Sequence, residues 1–356
     1  MAQPRNERLE ENASTAESAV MARKTTAAQV ARAAGVSPAT VDRVLNSRGG
    51  VSAEKERRVM DWAQRLGLDR DLRLRPARTI RVAALIGPAS NPFYARLRDG
   101  FVRANQVLSG ANVQASVSFV DYVNPALTAA MIARAAERHD ALAVVMPAHA
   151  QIVEAVQMAA KARPVLTMVT DLPQSGRLAF IGLDNHAAGR LAGDLMARLA
   201  GQPGRLLLVT ELRSMNALAE REAGLRAVLG QRHPQFELAE VIEHGGTQER
   251  AGMLVEQALQ RHGSVRGVYI ASTGNRAVAA SLRRLGLAAR MVVVTHEMTP
   301  ARRALLQEGV IDAIIDQAPE AEAQQAMEML AWHFGRLEAP PARLTTPLSL
   351  ILRENC

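Results

Sequence analysis

The sequence has little cysteine: its 356 residues include one, Cys356. A single cysteine cannot form an intrachain disulfide, which suits a reducing compartment. The first residues contain no apolar segment of the kind found in a signal peptide, and no apolar run reaches the length of about 18 residues that a membrane-spanning helix needs. These absences predict a cytoplasmic protein with no membrane partner.

The sequence patterns of common catalytic and cofactor sites are absent as well. The 8 histidines are scattered, without the H-E-x-x-H spacing of zinc enzymes. There is no G-x-S-x-G nucleophile turn, no G-x-G-x-x-G fingerprint and no P-loop. We therefore expect no metal, no cofactor and no enzymatic activity.

Positive charge is present in excess and is unevenly distributed. The formal net charge is +8, and residues 22–80 hold 13 Lys and Arg residues against 6 Asp and Glu residues. Residues 1–21 hold 2 against 4, and the rest of the chain holds 28 against 25. A basic excess confined to one short region is typical of a module that binds nucleic-acid phosphates.

The same region predicts three short helices. The first has apolar residues at i, i+3, i+4 and i+7, namely Ala27, Val30, Ala31 and Ala34. Gly35 suits a left-handed turn, Ser37 suits an N-cap and Pro38 suits a first helical position, so a second helix is expected from there to about Asn46. A third helix should begin after Ser52, with an apolar stripe formed by Val59, Trp62, Ala63 and Leu66.

Two short helices joined by a turn that contains glycine are typical of a helix-turn-helix, whose second helix enters the major groove of DNA. The small Pro38 and Ala39 would allow close approach to thymine methyl groups, and Thr40 and Arg43 would supply polar contacts. The alternative is an ordinary small helical domain. The expected DNA-binding residues are Thr26, Ser37, Pro38, Ala39, Thr40, Arg43, Asn46 and Arg48.

From Thr79 onwards, short apolar runs alternate with helical segments. Buried strands are predicted at 80–87, 113–119, 141–147, 164–169, 179–183, 205–210, 237–242, 267–272, 291–295, 310–316 and 348–352. Continuous apolar strands alternating with helices predict parallel sheets covered on both faces. The fold class is therefore α/β, with two doubly wound lobes and a cleft between them.

Polar residues follow these strands, at the edge where open α/β sheets bind ligands. The strand-end residues are Asn91, Asp171, Glu211, Arg213, Ser272, Thr273, Asn275, His296, Glu297 and Gln317, with Arg221 a short way into the next helix. Carboxylates, an amide and an arginine beside the aromatic Phe93 and Tyr94 suit a polyhydroxylated ligand. The alternative is that strand ends are polar because they meet solvent.

The stretch from Val30 to Asn46, followed by Val51 and Ser52, resembles the N-terminal domain of LacI-family transcription regulators. That family has the pattern V-A-x-x-A-G-V-S-x-x-T-V-x-R-V-L-N. Asp42 stands where the family usually has serine, on the side expected to face DNA. The resemblance implies a homodimer that binds a near-palindromic operator, most often as a repressor.

Residues 79 to about 352 resemble the periplasmic-binding-protein-like core of the same family, which is similar to ribose-type sugar-binding proteins. Together with the strand ends, the resemblance implies ligand contacts from Asn91, Phe93, Tyr94, Asp171, Arg221, Thr273, Asn275, Glu297 and Gln317. Phe180 to Gly189 matches a structural junction. The family's Asn-Asp is replaced by Thr273-Gly274, its Arg or Ser after the aspartate by Leu172, and its hinge leucine could be Leu72 or Leu74.

These features predict a small-molecule-responsive transcription regulator, with a sugar or polyol as effector. The alternatives are a solute-binding protein without a DNA-binding role and an enzyme of sugar metabolism. The expected domains are a disordered tail at 1–22, a helix-turn-helix domain at 23–68, a linker at 69–78, a first lobe at 79–184 and 318–340, and a second lobe at 185–317 and 341–356.

Overall fold

The computed structural model describes residues 25–46, 48–68, 78–122 and 124–356. The chain divides into two compact units between Arg78 and Thr79. The predicted tail, and residues 69–77 of the predicted linker with Leu72 and Leu74, lie outside the described residues. Within the described parts, no helix combines the length and apolar character needed to cross a bilayer.

The described part of the first unit forms three helices: α1 (Ala27–Ala34), α2 (Pro38–Leu45) and α3 (Ala53–Arg65). Gly35 ends α1 in the left-handed conformation with φ of 63°, and the Ser37 hydroxyl accepts a hydrogen bond from the Thr40 backbone N–H at 3.1 Å. The buried core consists of Val30, Ala31, Ala34, Val41, Val44, Val59 and Ala63. Ala27, predicted on the apolar stripe, is exposed because it lies in the first turn, beyond this core.

The second unit contains two six-stranded sheets with helices between the strands. The strands of the first sheet are β1 (Ile80–Ile86), β2 (Val113–Phe119), β3 (Ala141–Val144), β4 (Val165–Met168), β5 (Ala179–Leu183) and β11 (Thr345–Thr346), in the order β11-β5-β4-β3-β1-β2. All its strand pairs are parallel. Its helices are α4 (Pro92–Val107), α5 (Pro125–Arg138), α6 (Ala150–Ala162) and α12 (Pro319–His333).

The second sheet repeats this arrangement. Its strands are β6 (Gly204–Thr210), β7 (Phe236–Glu243), β8 (Val265–Ile270), β9 (Val292–His296), β10 (Ala313–Asp316) and β12 (Ser349–Ile351), in the order β12-β10-β9-β8-β6-β7. Only β12 is antiparallel to its neighbour, among the pairs described. Its helices are α7 (Asn185–Leu199), α8 (Asn216–Arg232), α9 (Gln248–Arg261), α10 (Asn275–Arg284) and α11 (Pro300–Gln307).

The chain passes between the two sheets three times: after β5, after β10, and between β11 and β12. We expected the last return to the second lobe at residue 341, but Thr345 and Thr346 pair in parallel with Gly182 and Leu183 of β5. The short β11 uses hydrogen-bonding groups at the free side of β5, so the chain returns only at Ser349. The last residue, Cys356, packs against the core of the second lobe.

Two glycines let α7 and α8 approach at backbone distance. A Cβ atom on Gly189 would lie 2.0 Å from the carbonyl oxygen of Arg221, and one on Gly224 would lie 2.0 Å from that of His186. Only glycine allows contact this close without displacing a backbone. The packing fixes the position of Arg221 on α8.

Candidate functional site

The second helix of the first unit presents most of the predicted DNA-binding residues to solvent. Pro38, Ala39 and Arg43 are exposed, and Thr40 is half-buried behind the Ser37 cap. Thr26 is exposed where α1 begins, and its backbone N–H donates to Gln29 Oε1 at 2.8 Å. An exposed N-terminal end of a helix with small residues and one arginine is the surface that a recognition helix needs.

Asp42 engages two further predicted DNA-binding residues. Its carboxylate accepts hydrogen bonds from Arg48 Nη1 at 2.9 Å and from Asn46 Nδ2 at 2.7 Å. The pair Asp42–Arg48 is solvent-exposed, so water weakens the attraction. The exposed cation of Arg48 is therefore held beside the recognition helix by a weak bond that a DNA phosphate can replace.

In the second unit, a narrow cavity lies between residues of the two lobes. It offers about 40 Å³ to the centres of water molecules. Six of the predicted ligand residues line it: Asn91, Phe93, Tyr94, Arg221, Glu297 and Gln317. The other lining residues are Tyr122, Val169, Glu211, Leu212, Met215, Ala217, Leu218 and Ser272.

Arg221 connects this cavity to the segments that join the lobes. Its side chain is buried, and it donates to Asn185 Oδ1 at 2.9 Å and to Gln317 Oε1 at 2.9 Å. Asn185 follows the first passage between the sheets, and Gln317 begins the second. A third bond runs to the carbonyl oxygen of Ala271 at 2.5 Å. A ligand that contacts Arg221 therefore contacts the side chain that links both passages.

Glu297 lies at the end of β9 and is almost fully buried. Its carboxylate accepts from Arg302 Nη1 at 2.9 Å and from Gln317 Nε2 at 2.9 Å. Its backbone is left-handed, with φ of 65°, a conformation that costs about 1–3 kcal/mol for a residue other than glycine. The ion pair and the amide fix this carboxylate in place, and its negative charge is matched by Arg302.

Glu211, at the end of β6, has a different environment. Within the described residues, its carboxylate accepts a hydrogen bond from Thr273 Oγ1 at 3.3 Å. Burial raises the pKa of the Glu211 carboxyl most, and the charge of Glu297 raises it further, against the lowering effect of Thr273. His244 lies 3.3 Å from the same threonine hydroxyl, and burial lowers the pKa of its imidazole.

Aromatic rings from the first lobe form the opposite wall. Phe93 and Tyr94, at the start of α4, contact each other edge to face with ring centres 5.4 Å apart. The Tyr122 hydroxyl donates to the carbonyl oxygen of Val145 at 2.8 Å. Burial raises the pKa of both the Tyr94 and the Tyr122 hydroxyl, so both remain protonated. The wall can cover the apolar face of a ring and donate hydrogen bonds.

Three predicted ligand residues do not line the cavity. Asp171 is ion-paired with Arg177, whose Nη2 lies 2.6 Å from Oδ2, and accepts from Thr167 Oγ1 at 2.7 Å. Thr273 bonds to Glu211 behind the lining, and the Asn275 amide is placed to bond with Thr295 and Arg302. The structure therefore gives these three side chains partners within the protein.

Residues that sequence reasoning did not select supply much of the lining. Glu211 and Ser272 were among the strand-end residues but were not chosen as ligand contacts, although both line the cavity. The apolar Leu212, Met215 and Leu218 carry no chemical signal in a sequence. Their role in the lining could have been predicted only from their positions after β6 and at the start of α8, close to other strand-end residues.

Three hydrogen bonds join the lobes beside the cavity. The Ala148 N–H donates to the Ser214 carbonyl oxygen at 2.8 Å, and the Ala217 N–H donates to Thr170 Oγ1 at 3.0 Å. Asn216 Nδ2 donates to the carbonyl oxygen of Asp171 at 2.8 Å. The N-terminal end of α8 is thus bonded to the loop that follows β4.

Among the described residues, no cluster of three or more His, Cys, Asp and Glu side chains is placed to hold a metal.

Comparison with known proteins identifies both units. Residues 82–334 match the family described as periplasmic binding protein domain, and residues 26–69 match that of the bacterial regulatory proteins, lacI family. The chain belongs to the periplasmic-binding-protein domain family, and with its N-terminal helices it is a LacI-family, ligand-responsive DNA-binding regulator. The predicted family, fold class and general function are confirmed.

Curated relatives of the core are import proteins. The ribose import binding protein RbsB of Salmonella typhimurium is 26% identical over 277 residues, 77% of this chain and 90% of that protein. RbsB of Escherichia coli K12 is 25% identical over 251 residues, 69% of this chain and 82% of that protein.

Solved structures share the fold of the core. A solute-binding protein of Burkholderia graminis, in complex with D-arabinose, has a TM-score of 0.72 at 23% identity, covering 79% of this chain and 98% of that chain. A protein from Bacteroides fragilis described as a LacI transcriptional regulator has a TM-score of 0.67 at 18% identity, covering 78% and 98%.

Proposed function

We propose that this regulator binds a sugar or related polyol in the cavity between its lobes, and that ligand binding changes its affinity for operator DNA. It binds a near-palindromic operator as a homodimer. The observation that carries the proposal is Arg221, which lines the cavity and bonds to both Asn185 and Gln317. The side chain that the ligand would contact is therefore also bonded to the segments that set the angle between the lobes.

The chemistry of the cavity supports a polyhydroxylated ligand. Arg221 uses three N–H groups on protein acceptors, and a guanidinium carries five. The remaining donors, with the carboxylates and the aromatic wall, can pair with hydroxyl groups and cover C–H faces. The relatives' named ligands, ribose and D-arabinose, belong to this class.

The size of the cavity supports coupling to lobe movement. Its volume of about 40 Å³ corresponds to about three water molecules, less than a sugar ring requires. Binding therefore needs Tyr94, Tyr122 or the lobes themselves to shift. A ligand changes the balance of two lobe arrangements only by its different affinity for them, which such a shift provides.

We propose further that the protein acts in the cytoplasm as a repressor, and that it binds rather than transforms its ligand. Action on an operator requires the compartment that holds DNA. Both matched families are families of regulators or binding domains. Two copies of the recognition helix, about one helical turn or a multiple apart, would read the two halves of the operator.

The test begins with selection of duplexes bound by the full chain from a randomised pool, followed by titration at several salt concentrations. We expect an inverted repeat, with affinity that falls as salt rises. Arg43→Ala should weaken binding by about 1–3 kcal/mol if Arg43 reads a base. Arg43→Lys keeps the charge and is the matched control, expected to lose discrimination between sequences more than overall affinity.

The same duplex is then titrated with and without sugars. A change in affinity with one sugar supports the proposal. Salt-independent or absent DNA binding would favour a solute-binding protein, the function of the RbsB relatives, and selection of sites without symmetry would contradict the dimer.

A further inference from the structure

The two carboxylates of the cavity differ in how their charge is balanced. Glu297 is paired with Arg302 and held by Gln317. Glu211 lines the same cavity, yet within the described ranges its side chain is bonded to the neutral Thr273 and to no cation. The cavity therefore contains one balanced and one unbalanced negative charge.

The positive charge of Arg221 is not paired with the negative charge of Glu211. Its three hydrogen bonds within the described residues all run to neutral acceptors, the side chains of Asn185 and Gln317 and the carbonyl of Ala271. The pKa of Glu211 is raised, first by burial and then by the charge of Glu297. A carboxylate taken out of water without a cation is costly, so a cation from the ligand would be favoured there.

Two further features of the same cavity suit an ammonium group. The Ser272 hydroxyl lines the cavity and is buried, and it has no hydrogen-bond partner among the described residues. Phe93, Tyr94 and Tyr122 line the same space, and aromatic rings attract cations to their faces. An ammonium donates three hydrogen bonds, which a carboxylate and a hydroxyl can accept.

We propose that the effector is an amine-bearing sugar or polyol, whose ammonium group binds Glu211 and whose oxygens face Arg221 and Asn91. This rests on the proposed function, because it specifies the ligand class of the same cavity. The proposal makes Glu211 a residue that determines specificity between aminated and neutral sugars.

The experiment measures dissociation constants by isothermal titration with the full chain. The probes are glucosamine, galactosamine and mannosamine, each beside its neutral parent, glucose, galactose or mannose. We expect at least one amine to bind about tenfold or more tightly than its parent, since a hydrogen bond between charged groups is worth roughly twice a neutral one. Raising the pH until the amine loses its proton should remove the preference.

Glu211→Gln is the decisive variant, because glutamine keeps the size and the acceptor for Thr273 but has no charge. It should bring the affinities of the amine and its parent to within about twofold of each other. Glu237→Gln, an exposed carboxylate on β7, is the matched control and should leave the preference unchanged.

Equal or tighter binding of all three parents, or an amine preference that survives Glu211→Gln, would overturn the proposal. Binding of parents alone would leave the sugar-responsive regulator intact and remove only the amine. If none of the six probes binds while the operator is still bound, both the amine proposal and the sugar part of the proposed function fail.

Discussion

At the scale of single residues, Glu322 has an environment that disfavours its charge. It is fully buried on α12, Thr346 Oγ1 lies 3.5 Å from one carboxylate oxygen, and the other oxygen has no partner among the described residues. Burial raises the pKa of this carboxyl well above its usual value, and the charge of Arg221 only partly opposes that effect. The folded protein therefore holds a proton on Glu322 up to a higher pH than the unfolded chain does.

We predict that Glu322→Gln stabilises the protein at neutral pH. Because the pKa is raised in the folded state, the free energy of unfolding of the native chain should fall as pH rises above the usual glutamate range. The glutamine variant has no proton to lose, so its advantage should grow from pH 4 to pH 8, to about 1–3 kcal/mol. Urea unfolding of both chains across this pH range measures it.

Exposed Glu338 provides the control for this prediction. Glu338→Gln should leave the pH dependence of unfolding as it is in the native chain. A Glu322→Gln chain that is less stable than the native chain at pH 8 would show that Glu322 is ionised and satisfied in the folded state.

The sequence identified site residues where chemistry and position at a strand end coincide. Asn91, Glu297 and Gln317 have this combination and line the cavity, as does Arg221 from the helix that follows a strand. Asp171 also combines a suitable side chain with a strand-end position, but its carboxylate forms an ion pair with Arg177, six residues later in the chain. A sequence does not show which of two neighbouring polar groups meets the ligand and which meets the protein. Whether the lining residues bind the effector stays a prediction.

At the scale of elements, the contact between α7 and α8 positions Arg221, and it depends on glycine. A Cβ on Gly224 would lie 2.0 Å from the His186 carbonyl oxygen, so the helices would have to separate. Gly230, at the end of the same α8, has nothing within 4 Å of a Cβ placed on it. The two positions form a matched pair on one helix.

We predict that Gly224→Ala lowers the free energy of unfolding by at least about 1–3 kcal/mol and weakens ligand binding, because overpacking moves Arg221 away from Gln317. Gly230→Ala should be neutral or stabilise by up to about 1 kcal/mol, since alanine favours helix. Urea unfolding and ligand titration measure both effects. Equal stability of the two variants would mean that the helices are not held as close as described.

The elements themselves were largely predictable, because buried parallel strands form continuous apolar runs. The position of the last passage between the lobes was not. Thr345 and Thr346 carry no apolar signal, and their pairing with β5 depends on a strand that lies about 160 residues earlier in the chain. Strands this short are defined by the partner that they meet rather than by their own composition.

At the scale of the whole core, Arg96 bonds the lobes together beside the passages. From α4 in the first lobe, its Nη1 donates to the Met298 carbonyl oxygen of the second lobe at 2.7 Å, and Asp316 lies 3.4 Å away. Its Nε and Nη2 each donate to a carboxylate oxygen of Glu320 at 2.8 Å. This bidentate pair holds the guanidinium in the direction of the second lobe.

We predict that Arg96→Ala widens the distribution of lobe angles and weakens ligand binding several-fold, because the arrangement that grips the ligand loses a bond. Small-angle scattering should report a larger radius of gyration, and titration a larger dissociation constant. Operator affinity without ligand should change little. Arg98→Ala is the control: Arg98 is exposed two residues away and pairs with adjacent Asp99. Identical results for both variants would show that Arg96 does not restrain the lobes.

The two-lobed architecture followed from the alternation of strands and helices, and the regulator class from the basic helical unit before it. What the sequence could not supply was the observation on which the proposed charge of the ligand rests. The proposal depends on whether Arg302 or Arg221 forms an ion pair with Glu211, and only the folded structure determines this.

Cys356 is the one thiol in the chain, and it packs against the second lobe at the end of the sequence. A fluorescent dye could therefore be attached to the second lobe without first removing any native cysteine. With one cysteine introduced on the first lobe to carry an acceptor dye, energy transfer would follow the opening and closing of the cleft as effector is added. The protein is thus nearly ready to serve as an optical sensor for its own ligand.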